Sequence, residues 1–137
     1  MNEGLDVVGA QRMLSELFAP WVQELRLRVE AIGDGEATLV LPFDERLART
    51  GGTICGQAMM AAADTAMVLA ISAQLGGFRP MTTVSLNTSF MRPAAGTDVR
   101  VIARVLKPGR SLVFGEVVLD GADGRRVAHA TTTYALV

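Results

Sequence analysis

Asp64 is the residue whose type and position first suggest chemistry. It stands inside GQAMMAAADTAMVLAISAQLGG, residues 56–77, the most apolar run of the chain. Burial tends to raise a carboxylate's pKa, and perturbed carboxylates collect at active sites. An Asp held by hydrogen bonds in a core, or facing an oligomer seam, is the structural alternative. A second candidate is Gly51-Gly52-Thr53-Ile54-Cys55-Gly56-Gln57, which leads into the start of the same run. Free N–H groups at a helix N-terminus, with glycine allowing close approach, can bond an anion or a developing oxyanion. A plain turn and cap is the alternative there. Neither the GxxxxGK[ST] nor the GxGxxG spacing is present, so the loop is not a phosphate cradle of those kinds. A thiol at a helix N-terminus can become a nucleophile, which makes Cys55 a third candidate. Its only imidazole partner is His129, on the last strand, and no third orienting group stands out, so a Cys/His mechanism is disfavoured.

The chain has 137 residues, 13 Lys+Arg against 14 Asp+Glu, one His and one Cys, and half of it is apolar. That length fits one domain, 1–137, with a sizeable core. A net charge of -1 with interspersed signs argues against nucleic acid as a partner. One Cys makes no internal disulfide, and one His with one Cys cannot build a zinc site from the usual ligands. The first twelve residues carry acids and no long apolar core, unlike a secretory signal, so a reduced cytoplasmic protein is expected.

The elements that must position these residues follow from periodicity. Met13, Leu14, Leu17 and Phe18 stand at helical spacing within 9–18, a short amphipathic helix that Pro20 discourages from continuing. From Glu24 the period becomes two: Leu25, Leu27, Val29 and Ala31 alternate with charged residues, Gly33-Asp34-Gly35 turns the chain, and Ala37, Leu39 and Leu41 return. Residues 56–76 form one long helix, apolar all round and stopped at Gly76-Gly77. Asp64 near its centre and the strand-rich remainder argue for a core helix over a membrane span. Four strands follow over 82–91, 98–107, 111–120 and 127–136, with turns at 92–96, 107–110 and 120–124. Short links favour antiparallel neighbours, so the fold expected is α+β: about six antiparallel strands curved around the long helix.

Four segments together resemble a known family over nearly the whole chain. They are Cys55-Gly56-Gln57, Ala63-Asp64-Thr65-Ala66, Ser85-Leu86-Asn87-Thr88-Ser89-Phe90-Met91-Arg92-Pro93-Ala94 and Val105-Leu106-Lys107-Pro108-Gly109-Arg110. Their order and spacing are similar to those of hotdog-fold acyl-CoA thioesterases of the phenylacetate-degradation (PaaI-like) type. The family's His-Gly-Gly lies nine residues before its catalytic carboxylate, as Cys55 lies nine before Asp64. The resemblance implies Asp64 as general base or nucleophile, the Gly56 N–H as the donor that polarises the thioester carbonyl, and Thr83 as a positioner of water. Arg49 stands where many relatives have Asn or Gln, Cys55 replaces His, and Gln57 replaces the second Gly. These three and Met60 are expected to contact substrate, with Arg92, Lys107 and Arg110, in or beside turns, available to the phosphates of coenzyme A. Met59 and Met67 are further candidates for the acyl pocket, although a Met-rich helical face is more often core filler.

A thioester is a good electrophile, so a carboxylate and an aimed N–H suffice, and no cofactor is expected beyond the coenzyme A of the substrate. Gly56 and Asp64 are eight residues apart on one helix, roughly 12 Å along its axis. Both cannot reach one carbonyl, since each must come within about 3 Å of a reacting atom. If both act, Asp64 works with Gly56 of a second subunit, two sites per homodimer. The resemblance implies that dimer too, often paired again into a tetramer. The competing expectation is a hotdog module that binds acyl-CoA or assembles without hydrolysis, which the altered Cys55-Gly56-Gln57 loop favours. A hotdog dehydratase or hydratase is disfavoured, because His129 is badly placed for a His–acid pair.

Overall fold

The computed structural model describes residues 4–137, so the first three residues of the N-terminal segment considered above lie outside the described residues. The element order is α1 (Val7–Glu16), α2 (Pro20–Gln23), β1 (Arg28–Gly33), β2 (Glu36–Leu41), α3 (Gly56–Leu75), β3 (Met81–Phe90), β4 (Val99–Pro108), β5 (Leu112–Gly121) and β6 (Arg126–Leu136). All strands join one antiparallel six-stranded sheet in the order β1-β2-β4-β5-β6-β3. The expected hotdog arrangement, a long helix wrapped by a curved sheet, is what forms.

The core helix α3 runs one residue short of its expected end. Gly76 takes the left-handed conformation, φ 81°, and its N–H and that of Gly77 close on Ala73 and Ser72 carbonyls, a glycine C-cap. Ala62, Ala63, Ala66 and Ala70 are fully buried, and these small side chains let the sheet approach the helix axis closely. By length and hydropathy α3 would pass for a membrane span, yet most of it is buried inside the protein. Against it the strands present alternate residues, among them Leu39, Val101, Val117, Ala130 and Tyr134, all buried.

Three expectations need correction. Pro20 does stop α1, but it also opens a second helical turn, α2, where its fixed φ and missing N–H suit the first position. The alternation from Leu25 is not yet strand, because Arg26 adopts φ 57°, which breaks the extended run until Arg28. Most consequential is the link at 92–96, which does not turn one strand back onto its neighbour. β3 pairs with β6, with β5 and β6 lying between it and β4. The Ile54 N–H donates to the buried Ala94 carbonyl at 3.0 Å, tying this link across the end of the sheet to the loop before α3. β3 is thereby an edge strand. Because α3 packs mainly on β2, β4 and β5, the inner face of β3 is left largely open.

Candidate active site

Asp64 points from the middle of α3 toward the β6–β3 margin. Its Oδ1 accepts a hydrogen bond from Thr83 Oγ1 at 2.8 Å and another from the Tyr134 hydroxyl, which is also 2.9 Å from the Asp64 carbonyl oxygen. Thr83 and Tyr134 are direct cross-strand partners on β3 and β6, so one pair supplies both donors. A bulge follows Thr83 and leaves Val84 unpaired and exposed. Bulges re-aim side chains at sheet edges. No cation forms an ion pair with Asp64 among the described residues. Tyr134 is fully buried, and burial first, then the Asp64 charge and hydrogen bond, push its phenol far above the usual range.

Gly56 opens α3. The first N–H groups of a helix lack a carbonyl within it to bond, and that of Gly56 finds none among the described residues. It borders a cavity of about 410 Å³ whose walls include Arg49, Ile54, Met59, Phe90 and Arg92. A Cβ on Gly56 would come within 3.1 Å of the Phe90 ring, so only glycine leaves this wall open without moving that ring.

The expected site residues therefore fall into separate groups within one chain. Asp64 and Thr83 are in contact; Gly56, Arg49 and Arg92 share the cavity. Cys55 and Gln57 instead line a different hollow, of about 270 Å³, beside Trp21 and Arg46. Met60 is 36% exposed, on the same helical face as Gly56 and Asp64 at four-residue spacing, while Met59, with Met91, lines the cavity wall. Met67 is core, packed under Gly115. Lys107, opposite Phe114 near the end of β4, and Arg110, in the turn after it, lie at the sheet end that carries Tyr134, opposite the end that carries Arg92. Among the described residues Arg49, Arg92, Lys107 and Arg110 make no ion pair, nor do Arg12, Arg26 and Arg79, whereas Arg28, Arg46, Arg100, Arg104, Arg125 and Arg126 do. His129 bonds Glu116 at 3.1 Å on the outer face, away from Asp64.

Tyr134 escaped the sequence-based expectations. It was legible only as the end of a Thr-rich strand, yet it shares inward parity with Ala128, Ala130 and Thr132, and a large polar side chain at such a position needs a partner inside.

A curved antiparallel sheet around one long helix, with the Asp64 carboxylate held by two neutral hydroxyls and the helix N-terminus bordering a cavity, is a hotdog arrangement. Residues 51–128 match the thioesterase superfamily (4HBT), and the chain belongs to that family and is a thioester hydrolase. A Thermoplasma volcanium protein named as an esterase is 32% identical over 90% of this chain and 93% of its own. A Silicibacter crystal structure described as a thioesterase is 34% identical, covers 99% of this chain and 95% of its own, and superposes with a TM-score of 0.87. The E. coli PaaI protein of the phenylacetic acid degradation operon superposes with a TM-score of 0.83 over 93% of this chain and 90% of its own; at 17% identity it shows the fold alone.

Proposed function

We propose that the substrate is a coenzyme A thioester of a small aryl or medium-chain acid, hydrolysed to the free acid and coenzyme A at a site shared by two chains, as in the PaaI-like type. The observation that carries this reading is the division of labour along α3: an ionisable group held at Asp64 and an unused N–H at Gly56, roughly 12 Å away along the axis. Asp64 takes a proton from the attacking water, or attacks the thioester carbon itself, while Gly56 N–H of the second chain receives the oxyanion. As base, Asp64 passes that proton to the thiolate as the C–S bond breaks; as nucleophile, it expels the thiolate and forms an acyl anhydride, which water then cleaves to the free acid, restoring the carboxylate and supplying the thiolate's proton.

The edge of β3 supports the shared site. It presents ten residues of strand with one side unpaired and with Val84 and Phe90 exposed. Such an edge is a template for pairing. An antiparallel second copy exchanges the two ends of the sheet, bringing Asp64 of one chain toward Gly56 of the other. The same exchange gathers four of the cations without an ion pair among the described residues, Arg49 and Arg92 from one chain with Lys107 and Arg110 from its partner, around the coenzyme A phosphates. A further pairing of dimers and a cytoplasmic setting complete this reading.

Thiol release from a panel of aryl- and alkyl-CoA esters tests it, with Asp64→Asn and Gly56→Pro. Proline fits the first helical position and the extended Cys55 before it, so Gly56→Pro deletes the N–H while keeping the helix, and Gly56→Ala, whose Cβ presses on the Phe90 ring alike but which keeps the N–H, is its control. Asp64→Asn and Gly56→Pro each lose turnover alone. Mixed at equal amounts and allowed to exchange chains, the two recover about a quarter of wild-type activity, because half the dimers carry one intact site. No recovery despite exchange of chains refutes the shared site, and binding without release in the wild type refutes hydrolysis of these esters.

A further inference from the structure

We propose that Tyr134, with Thr83, is a positioning residue that commits Oδ1 of Asp64 to hydrogen bonding and leaves Oδ2 as the single oxygen that reacts. The inference rests on Asp64 acting as described above. Both donors converge on Oδ1, and none reaches Oδ2 among the described residues. A carboxylate free to rotate offers two equivalent oxygens; one clamped through Oδ1 offers one, in a fixed direction.

The clamp has two unequal arms. Thr83 stands on the exposed edge strand, whereas Tyr134 is fully buried and its hydroxyl also reaches the Asp64 carbonyl, tying side chain and helix backbone to one group. The phenol, held far above its ordinary range by burial and by the adjacent charge, stays protonated and serves as a donor, not as a base. No cation pairs with Asp64 among the described residues, so the two hydroxyls alone hold the carboxyl group and Oδ2 faces no competing partner.

Thiol-release kinetics on wild type, Tyr134→Phe, Thr83→Val, Thr83→Ser and Asp64→Asn test the clamp. Tyr134→Phe is expected to lower kcat about tenfold to 100-fold, the worth of a hydrogen bond to a charged group, with KM within about twofold. Thr83→Val lowers kcat in the same direction and Thr83→Ser restores it. In an Asp64→Asn background, Tyr134→Phe costs nothing further, since it acts through Asp64. An equal loss in both backgrounds, or an unchanged kcat in Tyr134→Phe beside an inactive Asp64→Asn, overturns the clamp. Full activity in Asp64→Asn instead overturns the functional reading itself. Folding failure of a variant leaves a direct measure: Tyr134 is the one Tyr of the chain, so alkaline tyrosinate absorbance reports it alone. No ionisation near pH 10, the ordinary phenol range, and an earlier onset in Asp64→Ala support the clamp, and ionisation near pH 10 in the folded wild type refutes it.

Discussion

Two acids on opposite faces of the same sheet meet two different fates. On the outer face Glu116 bonds His129 at 3.1 Å and Arg104 at 2.9 Å, and these partners, His129 first, hold its carboxyl below the usual range. On the inner face the side-chain partners of Asp64 among the described residues are two hydroxyls, Thr83 and Tyr134. An arginine both orients a carboxylate and cancels its charge, so Glu116 is committed to holding β4, β5 and β6 together. Neutral donors orient without cancelling. The difference is the one on which the proposed function rests: Glu116 has a cationic partner and Asp64 has none among the described residues, although both are hydrogen-bonded and neither is fully exposed.

Activity is where the contrast is widest. Asp64→Asn is expected to lower kcat by about 10²-fold to 10⁴-fold, the span of general acid–base contributions, while Glu116→Gln stays within about twofold. Thiol release measures both, and a comparable loss in Glu116→Gln would erase the distinction. Stability sharpens it in a second way. Tyr134→Phe removes a buried donor to a charged group and is expected to cost about 1 to 3 kcal/mol in urea denaturation. His129→Ala removes a half-buried surface partner and is expected to cost below about 1 kcal/mol.

How much of this was legible in the sequence depends on the range of the interaction that decides it. α3 was readable to within a residue because Ala/Met/Leu content and Gly76-Gly77 are local signals, and Asp64 stood out against that apolar background. The six strands were readable from alternation. Their order was not: nothing local to 92–96 distinguishes a hairpin from a link across the sheet end, which the Ile54–Ala94 hydrogen bond decides from forty residues away. For the same reason Tyr134, seventy residues from Asp64, was invisible as its partner until β3 was seated beside β6. The placement of Lys107 and Arg110 away from Arg92 likewise follows from sheet order alone.

The smallest expected effect lies on the structural acid, in the pH dependence of stability. A carboxyl whose folded-state pKa sits below its unfolded value, here about 4.5, adds stability at pH above that value and loses it as pH falls through the folded one. Glu116 therefore adds stability at neutral pH that vanishes in acid. Because Arg104 is exposed and Glu116 only partly buried, solvent and salt screen the cluster, and the contribution is expected at about 0.2 to 1 kcal/mol. Urea melts of wild type and Glu116→Gln should differ by that amount at pH 7 and converge below pH 4, with the gap at pH 7 narrowing in high salt. A gap that persists in acid would mean that Glu116 holds the strands by packing and not by charge, and the contrast with Asp64 would then rest on position alone.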